Sequence, residues 1–340
     1  MSKVTLQAIA AAAGVGVATV DRVLNNRAPV RPATALRVRN AAQRLGYRLA
    51  RQDATGVVSA SATLRMGFIL LPAGYSFYQT LQDALRQQAL PLHPPGSEPL
   101  FYTHDIHDVA SVVASLYTLA EQVDVIALVA LDHPLIRHAI EQLSLRGMRI
   151  YALFSDFSPC GHAGYFGLDN QKAGRTAGWL ATHLLQASGT AAVLTGDHRF
   201  TCQESCEISF RSYLREQQSA LQVPEPLQTQ ETRAGGYQAA STLLAQQRDL
   251  TLIYAPCGGI EGVIQALREQ PKRKIALICH GPVEQGELAL IAGEITVMLR
   301  HNLDEMAAHI TQTLQQRHIA DDRHFSRVTL PFDIVTRENL

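Results

Sequence analysis

At 340 residues and 46% hydrophobic, the chain can bury a substantial core and is long enough for two or three domains, while 30 basic against 30 acidic side chains leave no overall charge that would mark a nucleic-acid binder. No stretch approaches the roughly 20 apolar residues of a bilayer span, and Met1-Ser2-Lys3 leads into an amphipathic pattern instead of a signal core; a soluble, cytoplasmic protein without a membrane partner is expected. The five cysteines, Cys160, Cys202, Cys206, Cys257 and Cys279, are odd in number and form no CxxC pair, so reduced thiols are expected, with neither a disulfide framework nor a metal site.

Charge is unevenly spread. Residues 1–60 carry nine Lys and Arg against Asp21 and Asp53, a net of +7 that leaves −7 on the rest of the chain. In this basic segment Thr5 can cap a first helix with Leu6, Ile9, Ala10 and Ala13 on one face, and Gly14 marks the exit from it. Val15 turns toward a small core, and Val20, Val23 and Leu24 continue the apolar stripe along a second helix that starts near Val17. Val17, Ala18, Asp21 and Arg22 remain on the opposite face, and Asn25-Asn26 ends the helix. Pro32 opens a third helix through Leu45, with Gly46 as its stop. Such a helix pair sets the start of its second helix against base edges in the major groove, so residues 1–48 are expected to form an all-α helix-turn-helix DNA-binding domain.

Residues 49–63 are small and polar without a sustained period and read as a linker. From residue 64 to 340 the chain alternates short apolar runs with amphipathic segments of helical length, the pattern of parallel α/β units. Strands are expected at 66–71, 100–103, 125–130 and 149–154, with helices over 79–88, 109–119 and 135–145 between them. A first lobe would thus close near Ser158. A second series has helices at 171–185, 204–215, 236–246 and 259–269, and strands at 191–195, near Leu227, and at 250–254, 275–279 and 295–299. Two such lobes leave a cleft at the carboxyl ends of their strands, where sheets of this kind bind small ligands.

Val4-Thr5-Leu6, Ala13-Gly14-Val15, Thr19-Val20, Arg22-Val23-Leu24-Asn25 and Leu45-Gly46-Tyr47 together resemble the DNA-binding domain of the LacI/GalR family of bacterial transcription regulators. Gly167-Leu168-Asp169-Asn170, Ala173-Gly174-Arg175, Gly293-Glu294-Ile295 and the final Arg337-Glu338-Asn339-Leu340 look like the family's periplasmic-binding-protein-like effector domain. The resemblance covers essentially the whole chain. It implies a homodimeric regulator, a repressor in its usual form, that binds a palindromic operator and answers to a sugar or related metabolite held between two lobes. Without leucine heptads toward Leu340, a dimer is expected in place of a tetramer.

By the same resemblance Val17, Ala18 and Arg22 read bases, Arg22 by a two-bonded contact to guanine and the two apolar residues by contact with thymine methyls. Thr5, Thr19, Asn25 and Tyr47 position the backbone. For the cleft, the resemblance carries over Phe77, His133, Asp156, Arg199, Glu204, His280 and His301, an aromatic wall among polar groups that suits a polyol. The pattern departs from the family at three places. The linker offers only Leu49 and Gly56 where a minor-groove leucine wedge is usual, Ala255-Pro256-Cys257 replaces an amide and a carboxylate, and Gly281 replaces another carboxylate. These gaps leave open a less hydroxylated effector, a phosphorylated or acidic sugar held by Arg199, or a ligand that is not a sugar.

Neither GxSxG nor GxxxxGK[ST] occurs, so no catalytic residue and no cofactor are expected. Cys257-Gly258-Gly259 before a helix is a weak anion-binding signal. A transport solute receptor would share the lobes without the basic helical head, and a cleft controlled by a partner protein is the remaining alternative.

Overall fold

The computed structural model describes residues 5–24, 34, 37–38, 41, 63–72, 76–184 and 189–340. The chain divides into two units, Met1–Ala60 and Ser61–Leu340. In the first, helix α1 (Leu6–Ala13) begins where Thr5 Oγ1 accepts the Ala8 amide at 3.3 Å, satisfying one of the donors that a helix start leaves unpaired. It stops at Gly14, whose φ of 64° is left-handed and whose amide donates back to the Ala10 and Ala11 carbonyls. Helix α2 (Val17–Leu24) follows after a bend of 101°. Val20 and Val23 pack against Ile9, Ala10 and Ala13, together with Val38 and Ala41. Of the expected third helix, Thr34, Arg37, Val38 and Ala41 are helical; its other residues, Asn25, Tyr47 and residues 49–62 lie outside the described residues.

The second unit opens with β1 (Met66–Leu70), α3 (Ser76–Ala89), β2 (Leu100–Thr103), α4 (Val109–Ala120), β3 (Val125–Leu128), α5 (Pro134–Leu145), β4 (Arg149–Leu153) and β5 (Gly164–Leu168). It continues with α6 (Asn170–Leu184), β6 (Gly189–Thr195), α7 (Thr201–Glu216), β7 (Leu221–Gln222), β8 (Leu227–Gln228), α8 (Arg233–Gln246) and β9 (Leu250–Ala255). Then come α9 (Ile260–Arg268), β10 (Ala276–Gly281), α10 (Gly286–Ile291), β11 (Val297–His301), α11 (Leu303–Ile319), β12 (Ser326–Leu330) and β13 (Phe332–Val335). One sheet has the order β12-β5-β4-β3-β1-β2, and the other runs β13-β11-β10-β9-β6-β7 with β8 also on β6. Neighbouring strands are parallel except β11 and β13.

Each sheet is covered on both faces, which is why its strands read as continuous apolar runs. In the first lobe Phe68, Ala127 and Leu153 face α3 and α11, whereas Ile69, Ile126, Ile150 and Tyr165 face α4 and α5. In the second, Leu194, Ile253 and Leu277 pack toward α8 and α9, whereas Val193, Leu252 and Ile278 pack toward α6 and α7.

The structure corrects the expected lobe boundary. The chain does not leave the first lobe near Ser158: it adds β5 before crossing and later returns as α11 and β12. β5 has a glycine at both Gly164 and Gly167, so local propensity does not mark it, and its outer partner is the distant β12. The elements α10, α11, β7, β12 and β13 also have no counterpart among the expected ones. Among the described residues, no single helix is long and apolar enough to cross a membrane.

Candidate functional site

The carboxyl ends of the strands in both lobes surround a cavity of about 490 Å³. Its first-lobe wall is mainly apolar and aromatic: Pro72 follows β1, Phe77 and Tyr78 lie on α3, and Phe154 follows β4, with Asp105 after β2 as its carboxylate. The Phe77 ring meets Phe154 edge-on at 5.2 Å, Tyr78 at 5.0 Å and His301 at 5.4 Å, so the rings fix one another in favourable T-shaped pairs. Phe154 holds φ at 61°, and Tyr165 Oη lies within hydrogen-bond distance of both its carbonyl (2.9 Å) and that of Leu168 (3.0 Å). Buried backbone at the turn is thereby satisfied, and the ring is held on the cavity wall.

The second-lobe wall carries most of the polar groups, beside apolar Pro256, Ile260, Pro282 and Val283. Glu231, only 5% exposed, receives Gln203 Nε2 on Oε1 at 2.7 Å and the Gly258 amide on Oε2 at 3.1 Å. Gln203 is itself fixed by the Gly196 amide at 2.5 Å. A Cβ on Gly196 would come within 1.8 Å of Glu231 Oε1, so glycine there makes room for the carboxylate. Burial raises the Glu231 pKa against the lowering effect of its two hydrogen bonds. At the Cys257-Gly258-Gly259 turn the Gly258 amide is taken by the chain's own Glu231 carboxyl group.

Two histidines stand at strand ends. His280 Nε2 lies 3.1 Å from Tyr254 Oη, and its ring is 6.0 Å from that of His301. Burial, with the proximity of His301, pushes His280 down to about 3, and burial takes His301 down to about 4; both imidazoles are uncharged at neutral pH. Among the described residues, His301 Nδ1 is buried without a hydrogen-bond partner.

Of the seven cleft residues carried over by resemblance, Phe77, His280 and His301 line this cavity. The other four lie outside its lining. His133 caps α5, its Nδ1 accepting the Leu135 amide at 3.2 Å. Asp156 pairs with His162 at 2.9 Å and with Arg327. Burial of His162 opposes a charge there, yet bonding to Asp156 prevails and lifts the imidazole to about 9. Arg199 is clamped on Asp197 by contacts of 3.1 Å from both Nε and a terminal nitrogen, and its carbonyl accepts the Asp132 amide of the first lobe. Glu204 is exposed in the first turn of α7. Further bonds join the lobes, from His107 to Gln230 at 2.7 Å and from Thr201 Oγ1 to the Asp156 carbonyl at 2.7 Å.

Glu231, Gln203, Tyr78 and Phe154 were not foreseen. Only the glycine pair after Cys257 hinted at Glu231, because the carboxylate sits at a left-handed φ of 60° in an irregular segment far from that turn in sequence. In the first unit, Val17, Ala18 and Arg22 are exposed on the side of α2 away from buried Val20 and Val23, and Thr19 is half-buried.

Residues 5–48 match the bacterial regulatory proteins of the lacI family, and residues 66–318 match the periplasmic binding protein domain. The chain belongs to the lacI family. It is a DNA-binding regulator with a periplasmic-binding-protein body. That body is similar to a glucose-galactose binding protein from Geobacillus stearothermophilus (17% identity, TM-score 0.71, covering 81% of this chain and 99% of the other). It is also similar to an ABC transporter solute binding protein from Agrobacterium vitis with bound D-fucose (17%, TM-score 0.74, 81% and 96%). An arabinose binding protein from Geobacillus stearothermophilus gives 20%, TM-score 0.66, 82% and 98%. At these identities the likeness is one of fold. No curated protein matches the chain.

Proposed function

We propose that the chain is a cytoplasmic, homodimeric repressor without enzymatic activity, whose affinity for a palindromic operator is set by a carbohydrate-like effector in the cavity of its second unit. In this reading residues 1–48 bind DNA, 49–63 link, and 64–340 bind the effector and dimerise. Phe77, His280 and His301 contact the effector; Val17, Ala18 and Arg22 face base edges, with Thr5 and Thr19 beside the phosphates. The observation that carries the reading is the cavity itself, with an aromatic wall opposite buried polar groups in a chain whose first residues match a DNA-binding family. The solved relatives named for glucose and galactose, D-fucose and arabinose support the sugar class.

The effector can alter operator binding only through a difference in its affinity for two states of the protein. A thermal-shift screen of sugars and derivatives, followed by operator titration with each hit, tests the whole reading. A hit must raise the melting temperature and change operator affinity; a screen without hits removes the sensor half. Arg22→Ala should abolish preference for the operator while leaving salt-sensitive nonspecific binding, and full preference in a gel-shift titration would remove Arg22 from base reading.

A further inference from the structure

We propose that the effector is non-anionic, an uncharged or amine-bearing polyol with one apolar face, and that one of its hydrogen-bond donors is anchored on the Glu231 carboxylate. The inference rests on the effector reading above and narrows it: phosphorylated and acidic sugars are excluded.

Glu231 supplies the first argument. It lines the cavity although it is nine-tenths buried, and it receives two hydrogen bonds, from Gln203 and Gly258. A carboxylate offers about four acceptor positions, so this one retains capacity for a donor that can come from the cavity. A hydroxyl or ammonium group satisfies these acceptor positions, whereas a phosphate or carboxylate oxygen brings acceptors to a group whose two oxygens already accept from Gln203 and Gly258.

The rest of the lining points the same way. Asp105, Glu261 and Glu284 add carboxylates, against which Arg233 is the basic lining residue. Arg199, the cation that could have received an acidic sugar, spends its fork on Asp197. The amide at the glycine turn before α9, where an anion would settle, already holds Glu231. Carboxylates on the walls of a cleft sum their fields and repel an incoming anion. His280 and His301 are uncharged and lend no compensating charge, while His301 Nδ1, unpartnered among the described residues, offers a second polar contact. Phe77 and Phe154 cover an apolar face of the ligand.

The full chain should be titrated calorimetrically with matched sets built on glucose, galactose, ribose and arabinose: the parent sugar, its amino derivative, its terminal phosphate and its acid. At least one parent or amino sugar is expected to bind, with its phosphate and acid at least 100-fold weaker. Glu231→Gln should weaken that hit at least 10-fold. Because Glu231 also supports its surroundings, Glu284→Gln at an exposed lining position provides a second arm, and it should strengthen binding of the anionic counterparts at low salt relative to their parent sugar. If a phosphate or acid binds more tightly than its parent, this inference is overturned while the effector reading stands. If no compound in any set binds, the sugar-effector reading falls and takes this inference with it.

Discussion

The two walls of the cavity are built by different physics. The first lobe contributes rings, Phe77, Tyr78 and Phe154, that extend its hydrophobic core to the ligand space; their positions are set by packing. The second lobe contributes Glu231 and Gln203, whose positions are set by a chain of hydrogen bonds from Gly196 through Gln203 to Glu231 and Gly258. A packed wall tolerates variation in the ligand's apolar face, since contact is non-directional, whereas a bonded wall demands a particular group at a particular place. On the proposed effector reading, selectivity belongs to the second lobe and bulk affinity to the first.

The sharpest way to break this division is Phe154→Ala. The ring is 8% exposed and belongs to the core, so its loss should destabilise the second unit by about 3–5 kcal/mol in denaturant titration and weaken every sugar that binds by a similar factor. A change in ranking among sugars, with stability intact, would assign selectivity to the wrong wall. Gly196→Ala should cost about 1–3 kcal/mol, because the new methyl displaces the Glu231 carboxylate, and should alter the ranking while leaving some affinity. Equal losses for all ligands in calorimetry would contradict that.

Acid provides a gentler probe. His280 and His301 have folded values of about 3 and 4, below the ordinary 6.5, so the stability of their neutral forms is present above pH 6.5 and is lost as the pH falls from there toward 4. The melting temperature should decline over that range, and His301→Gln should flatten the decline. His162 has the opposite sign: its folded value of about 9 makes the Asp156 pair stabilising at and below neutrality, and that contribution fades as the pH rises from 6.5 through 9. His162→Asn should erase the alkaline part of the melting profile and leave the acid part unchanged.

The same contrast explains what was legible in the sequence. Thr5, Gly14 and the Val20–Val23 stripe could be read because caps, left-handed turns and helix faces are local. Phe77, His280 and His301, carried over by the family resemblance, do line the cavity. Glu231 could not, since its position depends on a positive φ and on partners at 196, 203 and 258. Asp156 and Arg199 look like ligand-binding groups by type and place, yet each is occupied by a charge of its own lobe or a neighbouring strand, Arg327 for one and Asp197 for the other. Residue type announces capacity for a contact; only geometry says whether it has been used.

The interleaving of the two lobes also governs the order in which the body can be completed. β5 needs β12 as its outer neighbour, with Gly164 opposite Ser326 and Leu168 opposite Leu330, and α3 needs α11 to finish its core. As the polypeptide leaves the ribosome, the first lobe must therefore wait, with part of its apolar surface uncovered, for residues about 160 positions downstream. The intervening second lobe has nearly all of its strands in hand before that wait ends. The lobe begun first in synthesis thus closes only just before the second, whose edge strand β13 follows β12 directly, and a ribosome pause between β5 and α11 would leave that unfinished surface exposed.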